Sequence, residues 1–185
     1  MRMISVFENR KGQILIYLAL FIILNIIALY LSRLLLKADI AFFHELHSIL
    51  INIEREFLVA YFEKFNLLDK VDQNTLTFMN GNSMQILPGC SGLIQMFRIF
   101  FVLLFFPGSR YHKIWFIPLS LILVFIAAMV HLLILSYVII YLPEYYDVAH
   151  NFVTKFIFYG MYFLIWVYWL EKFVLKKKIT ETEQM

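Results

Sequence analysis

Apolar residues in this chain come in long unbroken runs separated by short polar joints, and one stretch instead alternates at helical spacing. The first run extends from Gln13 to about Leu36. Its core, Ile14 to Leu31, holds one side-chain amide, Asn25, and is long enough to cross roughly 30 Å of hydrocarbon. Arg2, Arg10 and Lys11 precede it, as they would a signal peptide. The apolar stretch is too long for such a segment, however, and no small-x-small cleavage pattern follows, so the pattern predicts an uncleaved span. Three further spans are predicted at Cys90 to about Pro107, Ile114 to about Leu142 and Val153 to Val174. Pro107-Gly108 closes the second. Arg98 lies two turns below Cys90, where a charge is costly unless it faces a bundle interior or water. His131 is the group within the third span that titrates near neutrality.

Between the first two spans the pattern changes. Ala41, Phe42, Leu46, Leu50 and Ile53 recur at helical spacing, and so do Phe57, Leu58, Tyr61 and Phe65. Glu45, Glu54, Arg55, Glu56, Glu63 and Lys64 fill much of the remaining surface. Such periodicity predicts one or two amphipathic helices on or near the membrane surface. His44 and His47, three apart, suit a metal pair on one helical face. With only Glu45 nearby as a third ligand, a solvated polar face is the better reading. Asp72 to Ser83, with Asn74, Asn80, Gly81, Asn82 and Ser83 as turn residues, reads as an irregular loop leading to Cys90.

Composition agrees with a membrane protein. Of 185 residues, 62% are hydrophobic, with 20 Phe, 11 Tyr and 3 Trp, which excludes a soluble domain and suits lipid-facing and interfacial positions. The single cysteine cannot form an intramolecular disulfide and so carries no information on compartment. The expected fold is all-α: one integral membrane helical bundle over residues 1–185, with interfacial helices between spans one and two. The net charge of +3 matters less than where it lies. Arg2, Arg10 and Lys11 flank span one, Arg110 and Lys113 join spans two and three, and Lys172, Lys176, Lys177 and Lys178 follow span four. The turn between spans three and four has no basic residue, and residues 37–89 carry only four. The excess of Lys and Arg on one side predicts that both termini are cytoplasmic. Cys90 and His150 then fall together at the extracytoplasmic face, at the ends of adjacent spans.

The candidate chemistry centres on Leu87-Pro88-Gly89-Cys90-Ser91-Gly92-Leu93. A thiol at the N-terminus of a membrane helix, between glycines, is placed where the helix end favours thiolate. A lone membrane cysteine is, by itself, more often packing than nucleophile. His150 is its natural partner for proton transfer.

Cys90-Ser91-Gly92-Leu93 opening a membrane helix resembles the nucleophile motif of the exosortase/archaeosortase family, over about Gly89 to Leu170. The resemblance implies a multi-pass cysteine transpeptidase or protease that processes C-terminal sorting signals of exported proteins. It implies Cys90, His131 and His150 as catalytic positions, no cofactor or metal, and a lipid-linked or glycan acceptor, amine or water for the acyl group. Nucleic acid is not among the implied partners; the lipid bilayer is. The chain departs from the family at its Asn-x-x-Arg pattern. The corresponding residues are Ala128-Met129-Val130-His131, so a histidine stands where the family has arginine. By counting from span ends, Arg98 falls at a depth similar to His131 and could substitute for it. Two readings remain: an active transpeptidase, or a non-catalytic relative that binds exported proteins or assembles with a membrane complex.

Overall fold

The computed structural model describes residues 2–37, 41–87 and 91–175. It is mostly helical. Helix α1 (Arg2–Lys37) leads into α2 (Ala41–Lys64), a three-stranded sheet, α3 (Leu93–Phe105) and α4 (Arg110–Tyr141). A 3₁₀ turn (Pro143–Tyr145), a helical turn (Tyr146–Val148) and a π-helical turn (Ala149–Val153) then feed α5 (Thr154–Trp169), which a second π-helical stretch extends to Leu175. Among the described residues, three helical segments are long and apolar enough to cross a membrane: Gly12–Leu35, Arg110–Tyr141 and Pro143–Leu175. The chain is therefore suited to multiple membrane passes. The segment expected to span at 90–107 is helical over 13 residues, Leu93–Phe105, about 20 Å and short of the hydrocarbon thickness.

The expectation of an all-α fold requires correction, because residues 68–85 form a small antiparallel sheet in the order β1 (Leu68–Asp72), β2 (Thr75–Phe78), β3 (Ser83–Gln85). Period-two burial explains it: Leu76, Phe78, Met84 and Ile86 are buried while their neighbours face outward, as a half-buried strand requires. The polar residues that suggested a loop are the turns. Gln73 takes a positive φ of 48° between β1 and β2, and Gly81 one of 83° between β2 and β3. Asn80 and Asn82 do more than turn. Their side-chain amides donate to the carbonyls of Ile139 (3.2 and 3.1 Å), and Asn80 also to Ile140 (2.8 Å), near the end of α4, where carbonyls lack helical partners. The sheet is thereby fastened to the end of α4.

Two cores result. The first lies between α1, α3, α4 and α5 and is strongly aromatic, with Phe106, Phe116, Phe158, Trp166 and Trp169 among its buried members. Trp169 Nε1 donates to the Pro107 carbonyl (2.9 Å). Lys113 Nζ reaches back to the carbonyls of Leu104 and Phe106, both at 2.7 Å, closing the α3–α4 hairpin. The second core, at the other end, joins Ile51, Leu58 and Phe62 of α2 to Leu76, Phe78, Met84 and Ile86 of the sheet region and to Leu132, Leu135 and Ile139 of α4. We call this end the head. Helix α2 stops on Asn66, left-handed at φ 53°. The Asn66 and Leu67 amides return to the Glu63 and Phe62 carbonyls, both at 3.0 Å, the paired bonds of a left-handed helix stop.

Candidate functional site

Gly92, of the sequence motif, sets the register of the site. It begins α3 at φ 69°, and a Cβ there would lie 2.9 Å from the Cβ of Ala128. Only glycine permits both the left-handed backbone and the close approach. Ala128 and Ser91 are fully buried, and Gly92 is buried between them. Ala128 is thus the surface on which Gly92 sits. Cys90 itself, with Pro88 and Gly89, lies outside the described residues.

One helical turn past Ala128 toward the head is His131, fully buried. Its ring centroid is 6.3 Å from that of His150 and 5.7 Å from Phe158. His150 is carried by the π-helical turn Ala149–Val153 that precedes α5, a local widening often found at functional positions. It stacks on Tyr146 at 5.8 Å and an interplanar angle of 25°. The structure therefore brings two of the three sequence-predicted residues, His131 and His150, together from different helices, immediately above the point where the motif segment packs. Two neighbouring imidazoles, one buried and one partly open, can relay a proton and present an N–H to a developing charge.

Arg98 does not join them. From Gly92 it lies about 9 Å further along α3, away from the head, whereas His131 lies about 4.5 Å from Ala128 toward the head. The equal depth expected from counting is corrected by this antiparallel register. The Arg98 guanidinium sits over the rings of Tyr159 (5.7 Å) and Tyr162 (5.3 Å) and donates to Asn25 Oδ1 at 3.4 Å. These groups line a groove of about 520 Å³ with Phe21, Ile22 and Phe163.

The expectation that Glu54 belongs to a solvated face is also corrected. It is 0% exposed, and neither carboxylate oxygen has a hydrogen-bond partner. Burial pushes its carboxyl up to about 8, since removing water penalises the ionised form. The signal was present in the sequence: Glu54 is four residues from both Leu50 and Leu58 and so shares their buried stripe. His44 and His47 lie on α2, and the described residues include no cluster of three or more ligands suited to a metal ion. Comparison with family models, curated proteins and solved structures finds no match.

Proposed function

We propose that this chain is a membrane-embedded cysteine transpeptidase or protease resembling the exosortases, acting on the C-terminal sorting signals of exported proteins. Both termini are cytoplasmic in this reading, α3 completes four membrane segments, and the head end is extracytoplasmic. The observation that carries it is the pairing of His131 with His150, 6.3 Å between ring centroids, one turn from where Gly92 of the cysteine motif meets Ala128.

In this reaction the Cys90 thiolate attacks a peptide carbonyl, forming a sulfur–carbon bond and moving the carbonyl electron pair to oxygen. His150 accepts the thiol proton and returns it to the departing amine as the carbon–nitrogen bond breaks. His131 occupies the position of the family arginine and offers an N–H toward the oxyanion. The acyl thioester then passes to an amine, a lipid-linked or glycan acceptor, or water.

The missing arginine favours a second reading, a non-catalytic relative that holds exported proteins without cleaving them. Mass spectrometry of the mature C-termini of exported proteins separates the two. Cells making the wild type should contain exported proteins truncated before a C-terminal apolar segment. Cells making Cys90→Ala or His150→Ala at equal membrane levels should retain that segment. Identical C-termini in all three strains would leave only the non-catalytic reading.

A further inference from the structure

The buried carboxyl of Glu54 is placed by two contacts at the depth of the histidine pair. Near its start, α2 meets α3 through Phe43 and Phe97, ring centroids 6.1 Å apart. Near its end it meets α4 through the Tyr61–Tyr137 hydroxyl pair at 2.9 Å. Because Phe97 lies beyond Gly92 on the side away from the head, α2 climbs toward the head in the same direction as α4. Glu54 is then about 10 Å back from Tyr61, and His131 about 9 Å back from Tyr137, so the two stand at one level. Glu54 also faces the right way. Its helical neighbours Ile51 and Leu58 are in the core with Leu132 and Ala149, which are adjacent in sequence to His131 and His150.

We infer that Glu54 is a further member of the site: a neutral carboxylic acid whose O–H donates the second hydrogen bond to the acyl oxyanion, beside that of His131. This rests on the cysteine-transpeptidase reading. A carboxyl fully withdrawn from solvent with both oxygens unpartnered costs free energy in the resting protein. A substrate carbonyl that becomes an oxyanion supplies the missing acceptor. A carboxylic acid kept neutral by an apolar site can fill this role, and burial holds Glu54 protonated up to about pH 8. During attack the carbonyl π pair moves to oxygen, Glu54 keeps its proton while sharing it, and on collapse the hydrogen bond reverts. No net proton passes through Glu54. The titratable groups at the head end of the elements packed against α2 are His131 and Tyr137 of α4, Tyr146 and His150 of the following turns, the exposed Tyr141, Glu144, Tyr145 and Asp147, and Asp69, Lys70 and Asp72 of β1. The β1 residues are likewise exposed.

The full-length protein in lipid nanodiscs is tested with p-nitrophenyl hexanoate, following the burst of nitrophenolate that reports acylation of Cys90. The wild type should show a burst that Cys90→Ala abolishes. Glu54→Ala should slow it by about 10²–10³, the usual loss for one oxyanion donor. Glu54→Gln keeps an N–H donor and should stay within about tenfold of wild type at pH 6. Above pH 8 the ratio of wild-type to Glu54→Gln rate should fall about tenfold per pH unit, because Glu54 ionises and glutamine does not. Glu54→Leu guards against misfolding, since it should raise the melting temperature and still lose the burst. A Cys90-dependent burst that Glu54→Ala and Glu54→Leu leave at the wild-type rate overturns this inference alone. No Cys90-dependent burst in the wild type overturns the transpeptidase reading, and this inference falls with it.

Discussion

The two ends of the molecule bury a potential charge in opposite ways. In the bundle, two tyrosine rings and an asparagine oxygen are arranged around the half-buried guanidinium of Arg98, whose Nε has no hydrogen-bond partner. Ring faces attract a guanidinium that is only weakly hydrated, so the cation is withdrawn from water at modest cost. In the head, Glu54 is surrounded by nothing that bonds it, and it keeps its place by staying neutral. A cation held by two ring faces and a hydrogen bond can stay as it is. A carboxyl with neither oxygen bonded marks a position where the resting protein is incomplete, and this directs attention to the head, where the histidines also meet.

The largest effect expected from this contrast is on the pH dependence of stability. The folded-state pKa of Glu54 is raised, from 4.5 to about 8, so the unfolded chain releases this proton first. Its contribution is fully present below about pH 4.5, declines as pH rises, and is lost by about pH 8. The window corresponds to about 5 kcal/mol. Thermal melts of the wild type from pH 4.5 to 8.5 should therefore fall relative to those of Glu54→Leu, and the two curves should diverge steadily with pH. Parallel curves would mean that Glu54 ionises freely in the folded protein, and the contrast with Arg98 would disappear.

Next in size is the contact that brings the motif to the histidines. Gly92→Ala places a methyl 2.9 Å from the Ala128 Cβ on a backbone at φ 69°, and should cost about 1–3 kcal/mol by overpacking and strain. Ala128→Gly in the same chain should recover the steric part and leave the backbone part. A melting temperature for Gly92→Ala equal to the wild type would show that α3 and α4 can separate at this point. The register that places Arg98 away from His131 would then be lost.

Much of this was legible in the sequence. Long apolar runs marked α1, α4 and α5, and the cysteine motif with His131 and His150 pointed to the segments that meet. The sheet was not read, because three strands of three to five residues are shorter than a reliable alternation, and Asn80 and Asn82 look like turn residues whether or not they also bind Ile139 and Ile140. Glu54 was missed for a different reason. Glutamate is so seldom fully buried that its place on the Leu50–Leu58 stripe was outweighed by its type. The depth of Arg98 was misread because counting from helix ends ignores that α3 is only 13 residues long and is set against α4 by Gly92.

The smallest effect expected lies in the bundle and tests whether Arg98 is held by its rings or merely tolerated. The guanidinium spreads over Tyr159 and Tyr162 together, which a flat, weakly hydrated cation can do and a compact ammonium cannot. Arg98→Lys should therefore be the worse substitution, costing about 1 kcal/mol, because it keeps the charge and loses the ring contacts. Arg98→Met should cost about half as much, since it fills the groove without a charge to desolvate. Neither change should alter the pH dependence set by Glu54, because the guanidinium packs on the Tyr162 ring of the other core. Melting temperatures of the two variants in the same lipid decide the order. If lysine is tolerated better than methionine, the site needs a positive charge of any shape, and the ring faces are not what holds Arg98 in place.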